Sequence, residues 1–326
     1  MPGFITHYIC GEAVLNRLPP DIGKILSRRR QLYNIGTQGP DIFFFYLPGL
    51  LRKNSKNLGG EMHRSNFGGF VSAMLDEMGS GRYDGDMIFA YIAGFLTHYT
   101  LDYNAHPYVY YRSGFKVEGD GKRRLTHSVH HRTFETAIDV LMLNMMSGQK
   151  PADKKLWQLI RTEAPEAREI AKAMSAAVKI AYGREIPEKE VYRAIKYMVY
   201  ITRLLQSRKG RRKKLMEFAE ELTVGERVVS SLIHPQEADG RIDYLNIGKK
   251  PWGMPWDNTA AVESSFPELY DRAVEEAESL IEKTDLYRRG KLGKEELLEA
   301  VGNRSLLSGA EAGEAAEFLY HESVFA

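Results

Sequence analysis

The sequence predicts an all-α protein, a bundle of many helices. Apolar residues recur with the period of an amphipathic helix through most of the 326 residues. No run of alternating apolar and polar residues with enriched β-branched side chains is visible, so no strand is predicted. Glycine or proline interrupts the helical patterns at Gly79–Gly85, Pro151 and Pro187, as is typical of helix boundaries.

The predicted helices share this periodicity. They are Ile22–Arg30, Ser65–Met78, Asp84–Ala105, Leu125–Met146, Asp153–Glu163, Pro165–Ala181, Pro187–Ser207, Ser264–Glu282 and Lys294–Val301. The segment His234–Asn258 has no clear period and contains three prolines together with Trp252 and Trp256. A disordered linker rarely carries two tryptophans, so an ordered aromatic loop is predicted there.

Length and composition limit the classes of protein but do not choose a function. A chain of this length can form one large domain or two. We expect residues 1–150 to form a metal-binding helical core and residues 151–326 to complete or cap it, within the same domain or as a second one. The net charge of +2 gives no bulk signature of nucleic-acid binding, although local basic patches are compatible with it.

One such patch is the basic run from Arg208 to Lys214. It could contact phosphates of a membrane or a nucleic acid. No aromatic residue lies between the charges, so a solvated helix junction is the favoured interpretation.

The N-terminal residues contain no basic segment followed by an apolar one, so no secretory signal is expected and we predict a cytoplasmic protein. The longest apolar stretches, Asp41–Leu51 and Met87–Leu96, are shorter than the roughly 20 residues that span a bilayer. No transmembrane helix is therefore predicted. The single cysteine, Cys10, excludes an internal disulfide and any CxxC metal site.

The histidines are concentrated at one end of the chain. Seven of the nine precede residue 132: His7, His63, His98, His106, His127, His130 and His131. Several imidazoles at helical spacing beside carboxylates are hard to explain by packing, and imidazole with carboxylate is a common zinc ligand set.

The strongest pattern is His98, Asp102 and His106, which recur every four residues and share one face of a helix. Four residues rise about 6 Å, so a helix through all three would place the two imidazoles too far apart to ligate one ion. The spacing predicts two neighbouring metals with Asp102 between them. Pro107 disfavours helical geometry at His106, so we expect that imidazole to enter from just beyond the helix.

His131 and Glu135 form a second pair four residues apart, and spacing alone leaves His127 or His130 as substitutes for His131. Two turns add candidates. Gly39-Pro40-Asp41 presents a carboxylate, and the glycines before His63 allow close backbone approach. The alternatives are a helix N-cap for Asp41 and a surface side chain for His63.

Together, an early His, a GPD turn, a single His, HxxxD with a following His, and HxxxE resemble the zinc-dependent phospholipase C family of bacteria. The resemblance runs from His7 to Glu135 and implies a helical fold of that type, with two or three zinc ions.

The resemblance also implies a ligand set for each ion. One zinc would be held by Asp41, His63, His98 and Asp102. A second would be held by His106, His131 and Glu135. A third would be held by His7, Asp102 and the N-terminal amine and carbonyl, and Asp41 would be the general base.

The implied activity is hydrolysis of a phospholipid or related phosphodiester by a metal-activated water, with peripheral contact to a membrane surface as a further expectation. A single-strand nuclease is the alternative within the enzymes, although a nucleic-acid partner is not favoured. The alternative from another class is a non-catalytic helical binding protein stabilised by metal, in which no coordination position is open to water.

Overall fold

The computed structural model describes residues 3–45, 58–115, 124–206, 210–223, 227–311 and 317–325. Helices dominate these ranges, so the all-α prediction is confirmed. The α-helices are α1 (Phe4–Arg17), α2 (Pro20–Arg28), α3 (Arg30–Gly36), α4 (Leu58–Arg64), α5 (Phe67–Gly79), α6 (Gly85–Ser113), α7 (Arg124–Ser147), α8 (Leu156–Leu159), α9 (Ala164–Tyr182), α10 (Glu188–Leu205), α11 (Arg211–Thr223), α12 (Phe266–Arg288) and α13 (Lys294–Val301). Short 3₁₀ helices cover Gly39–Phe45, Pro151–Asp153 and Ser230–Leu232.

Helix α6 is the centre of the fold. It is 29 residues long, and the Asp84 side chain caps its start by accepting from the backbone N–H of Asp86 at 2.9 Å. Most of its side chains are buried, as expected for a helix that is apolar on every side. Helices α3 and α12 pack closely along it. A Cβ at Gly94 would lie 2.1 Å from the Tyr33 carbonyl oxygen, so only glycine permits the close crossing with α3.

The expectation that Pro107 ends the helix before His106 is wrong. Helix α6 continues to Ser113 with Pro107 inside it, and His106 has helical geometry. A proline inside a helix costs about 3 kcal/mol. Beyond it, Tyr108 and Val109 are fully buried, and burial of each such side chain contributes about 1.5–3 kcal/mol. Core packing thus offsets the lost hydrogen bond.

Other boundaries also differ from prediction. Helix α8 covers only four residues of the expected Asp153–Glu163, and α1, α4 and α11 were not predicted as helices. A two-stranded antiparallel hairpin joins β1 (Trp252–Met254) to β2 (Asp257–Val262), so part of the expected aromatic loop pairs as strands. Most of β2 is exposed, so its residues show no buried alternating face that would reveal a strand.

Most of the buried apolar side chains form one core cluster that extends from Ile5 to Leu306. Residues from both parts of the chain therefore pack together. None of the helices in the described ranges has an apolar stretch long enough to cross a membrane.

Candidate metal centre

Asp102 lies in the middle of a fully buried group of polar side chains. Its Oδ1 is 3.3 Å from Nε2 of His7 on α1, and its Oδ2 is 3.0 Å from Nε2 of His98, one turn earlier on α6. The two imidazole rings stack with centroids 4.1 Å apart. Helix α1 thus brings His7 against the face of α6 that carries His98 and Asp102.

Asp41 and His63 approach the same group from two further elements. Asp41 is in the 3₁₀ helix Gly39–Phe45, and its Oδ1 lies 3.3 Å from Nε2 of His63, which is also 3.6 Å from Oδ2 of Asp102. His63 is buried in helix α4, so it is neither a surface residue nor in a turn. Gly39 has φ of 49°, and a Cβ there would lie 2.3 Å from the His98 ring. Glycine is therefore required where the GPD segment passes His98.

A second group lies further along α6. His106 faces His131 and Glu135 on α7, with ring centroids of the two histidines 6.1 Å apart and Nε2 of His131 2.7 Å from Oε1 of Glu135. The structure brings His131 into this group rather than His127 or His130. We call it the His131 centre, and we call His7, Asp41, His63, His98 and Asp102 the Asp102 centre.

Three sets of potential ligand atoms within the described ranges are close enough to hold an ion, with all atoms of a set within 4.8 Å of one another. They are His7, His98 and Asp102; Asp41, His63 and His98; and His106, His131 and Glu135. All eight side chains that the resemblance implies as ligands are therefore in these sets. The N-terminal amine and carbonyl implied for a third zinc lie outside the described residues.

In the Asp102 centre, two imidazoles are oriented by backbone carbonyls. Nδ1 of His98 is 3.2 Å from the Thr37 carbonyl oxygen, and Nδ1 of His63 is 2.6 Å from that of Gly59. If each Nδ1 carries the proton and donates to these oxygens, the lone pair on Nε2 faces the interior of the site. Metal-ligating histidines are commonly fixed in this way.

The His131 centre has the same arrangement with different partners. Nδ1 of His106 forms a hydrogen bond with the carbonyl oxygen of Leu306, a residue 200 positions away in sequence. Nδ1 of His131 is 3.2 Å from the Ser113 hydroxyl. Nε2 of His106 then faces the pair formed by Nε2 of His131 and Oε1 of Glu135, the three atoms that could hold a metal.

Burial favours the metal-ligating protonation state at three of the histidines. Burial lowers the pKa of His7, His106 and His131, which keeps these imidazoles neutral. Burial also acts against the charged form of Glu135, but His131 beside it brings the pKa of this carboxyl down to about 2. Neutral imidazole with ionised carboxylate is the form that binds zinc.

The pKa of Asp102 is likewise set by its neighbours. Burial acts to raise it, but the imidazoles of His98 and His106 hold it well below the ordinary value for an aspartate. Asp102 in turn raises the pKa of His98, against the effect of burial. A fully buried carboxylate surrounded by imidazoles is thus kept ionised.

A metal also explains buried polar atoms that protein contacts leave unsatisfied. Within the described part of the chain, both carboxylate oxygens of Asp102, Oδ1 of Asp41, Nε2 of His98, Nε2 of His106 and both ring nitrogens of His7 make no hydrogen bond of acceptable geometry, although Asp102 lies close to His7 and His98. Such atoms cost about 1–3 kcal/mol each when buried without a partner. Their convergence on two small volumes fits cations with nitrogen and oxygen ligands.

Asp139 is a positioning residue that the sequence analysis missed. This fully buried carboxylate on α7 accepts from the backbone N–H groups of Ile5 and Thr6 at 3.0 and 2.8 Å, and from Nε2 of His234 at 2.6 Å. It therefore caps α1 from another helix and fixes the start of the segment that carries His7. The available signal was its position four residues after Glu135, on the same helix face.

The fold and the site define a helical protein with buried histidine–carboxylate clusters that could hold metal ions. A family model described as zinc-dependent phospholipase C matches residues 6–192, which is more than half of the chain and includes all eight potential ligands. The chain belongs to the zinc-dependent phospholipase C family. No match was found among curated proteins or among solved structures.

Proposed function

We propose that the protein is a zinc-dependent phosphodiesterase that hydrolyses a phospholipid to release its phosphorylated head group. The observation that carries the proposal is the presence of three neighbouring ligand sets, together with the buried, unpartnered ligand atoms of His7, Asp41, His98, Asp102 and His106. A structural zinc needs one closed set of four ligands, whereas neighbouring sets on either side of Asp102, whose two oxygens face His7 and His63, suit a multinuclear catalytic site.

Charge balance supports an anionic substrate. The two centres contain three carboxylates, those of Asp41, Asp102 and Glu135. Three negative charges cannot neutralise even two zinc ions, so the loaded site is positive overall. A buried positive site attracts a phosphodiester and stabilises the charge that develops on it during hydrolysis.

Bound zinc would lower the pKa of a ligated water and polarise the phosphoryl oxygens. Within this chain, Asp41 is the residue best placed to accept the proton of the attacking water. Its Oδ1 is buried, lacks a hydrogen-bond partner among the described residues, and lies beside His63. The general-base role assigned to Asp41 is therefore part of the proposal.

Aromatic side chains flank both centres. Phe44, which is only partly buried, packs on His63 with ring centroids 5.4 Å apart. Beside the other centre, Tyr110 contacts both His131 and Phe318, at 4.5 and 4.9 Å. Aromatic surfaces on both sides of the metal ligands suit the glycerol and proximal acyl carbons of a lipid.

The test begins with zinc counted per chain by elemental analysis. Hydrolysis is then measured on an aryl phosphodiester, on phospholipid vesicles and on single-stranded DNA. We expect two or three zinc ions, cleavage of the aryl ester and of lipid, and loss of both activities in Asp41→Asn. The matched control is Asp76→Asn, which neutralises an exposed carboxylate that pairs with Lys294 on the surface.

The other outcomes separate the alternatives. Faster cleavage of single-stranded DNA than of lipid, with strong salt dependence, would show that the protein is a nuclease and not a phospholipase. Zinc bound at full stoichiometry without hydrolysis of any of the three substrates would leave a metal-stabilised binding protein. Full activity in Asp41→Asn would exclude its role as general base.

A further inference from the structure

Helix α11 presents an apolar stripe to solvent. Leu215, Phe218 and Leu222 are 70%, 62% and 71% exposed. Their spacing of three and four residues places them on one face of the helix. Exposed apolar residues scattered singly are ordinary, but three large ones aligned on a single helix face mark an interaction surface.

The polar side of the same helix faces the protein. Lys213 donates to the carbonyl oxygens of Ser230 and Ile233, both at 2.8 Å. Glu220 is buried and accepts the backbone N–H groups of Val229 and Ser230. These contacts fix the rotation of α11 about its axis, so Lys213 and Glu220 are turned inward and the apolar stripe outward. This orientation is the reverse of that in an ordinary surface helix.

The basic side chains beside the stripe indicate a negatively charged partner. Helix α11 begins with the second half of the basic run, and Arg211 and Lys214 are exposed next to the stripe. Glu217 lies 4.0 Å from Lys213 and Glu220 is buried, so Glu221 is the main exposed acid opposing them. A basic helix with an outward apolar stripe suits an anionic bilayer, where the side chains enter the interface and the cations meet lipid phosphates.

The position of the helix relative to the ligands supports this assignment. Helix α11 packs on the 3₁₀ helix Ser230–Leu232, and Nε of Arg132 donates to the Ser231 hydroxyl at 3.0 Å. Arg132 is adjacent in sequence to His131. The 3₁₀ helix Ser230–Leu232 thus lies between α11, which carries the stripe, and α7, which carries His131 and Glu135.

We propose that Leu215, Phe218 and Leu222, with Arg211 and Lys214, form a docking surface for an anionic lipid bilayer. The solvated junction expected for this run is replaced by a membrane-contact helix. The proposal concerns adsorption alone and holds whether or not the metal centres hydrolyse lipid. A second copy of this chain is the competing occupant, because a dimer could also cover the stripe.

Sedimentation with vesicles tests the proposal on the full, zinc-loaded chain. Vesicles of phosphatidylcholine mixed with phosphatidylglycerol should bind the protein more tightly than phosphatidylcholine alone, in a salt-sensitive manner. Removing an apolar side chain, as in Phe218→Ser, should weaken partitioning about tenfold. Neutralising a charge, as in Arg211→Gln, should weaken it about fivefold. Ile180→Ser is the matched control, since Ile180 on α9 is 65% exposed and lies outside the stripe.

A label on the stripe gives a readout that does not depend on loss of binding. Cys10 is fully buried, so an environment-sensitive dye will react selectively at Leu222→Cys or at the control Ile180→Cys. Anionic vesicles should shift the emission of the first to the blue and leave the second unchanged. Equal shifts at both positions, no binding by the unmodified chain, or a stripe substitution that dissociates a dimer without changing vesicle binding would each overturn the proposal.

Discussion

The Asp102 centre and the His131 centre lie on the same helix but are built differently. In the Asp102 centre, His63 and His98 are oriented by the carbonyl oxygens of Gly59 and Thr37, and all four residues lie within the first hundred of the chain. In the second, His106 is oriented by Leu306, far along the chain. In the first, His7, His98 and Asp102 are fully buried and the Asp41 side chain is 11% exposed, whereas the His131 side chain of the second is 16% exposed. The carbonyls that orient the rings are therefore local in the first centre, and one of those in the second comes from the C-terminal part of the chain.

This difference has a consequence for metal retention. A more deeply buried centre should release its ions slowly, because opening it exposes core side chains as well as the metal. A centre with a partly exposed imidazole and a distant backbone partner can open through a local motion. We therefore expect chelators to remove metal from the His131 centre first.

The largest effect is expected for Asp102→Asn, which keeps the shape of the side chain but removes its charge. Asp102 contacts His7, His98 and His63, so its charge supports more than one ion. Hydrolysis of an aryl phosphodiester should fall at least about a thousandfold. Elemental analysis should show loss of zinc from the Asp102 centre, and a variant with wild-type zinc content would contradict its central position.

A smaller effect is expected for His131→Gln. This variant should lose the ion of the His131 centre while the Asp102 centre keeps its metal, and hydrolysis should fall about a hundredfold. His130→Gln is the matched control, because His130 packs on Phe325 outside the three ligand sets. Equal loss of zinc in both variants would contradict the assignment of His131, and not His130, to this centre.

Asp139→Asn should act on stability more than on chemistry. It weakens the cap that holds Ile5 and Thr6, so the free energy of unfolding should fall by about 2 kcal/mol. The Asp102 centre should also bind zinc less tightly, since His7 directly follows Thr6, which Asp139 holds. Chemical denaturation and zinc titration measure the two effects, and unchanged values for both would remove Asp139 from its positioning role.

The smallest effect is expected for Ser113→Ala, which removes the partner of Nδ1 of His131. Loss of such an orienting contact typically weakens metal binding about tenfold. The change should appear in zinc affinity at the His131 centre and leave the ions at the Asp102 centre in place. If both centres weaken equally, they are more strongly coupled than their separate partners indicate.

Much of the candidate site was predictable, for a local reason. His98, Asp102 and His106 follow the helical repeat, as do His131 and Glu135, so each helix places its ligands on one face wherever it lies in the fold. The expectation that His98 and His106 serve different ions also agrees with the sets they form. The ligand roles themselves remain predictions.

What failed was decided by packing. Pro107 is a local signal for the end of a helix, but the buried residues after it keep α6 continuous. Helix α11 was not predicted, and the face that it exposes is set by contacts of Lys213 and Glu220 with the segment Val229–Ile233. Asp139 could not be assigned, because its partners lie more than 130 positions away.

The sequence alone determined the helical class, the ligand types and their register, because these depend on composition and on a repeat of 3.6 residues that any helix imposes. The tertiary structure decided which histidine of His127, His130 and His131 joins His106, which carbonyl orients each ring, and which face of α11 meets solvent. Those choices depend on contacts between distant segments. Their energies arise only when the core forms and the buried polar groups must each find a partner.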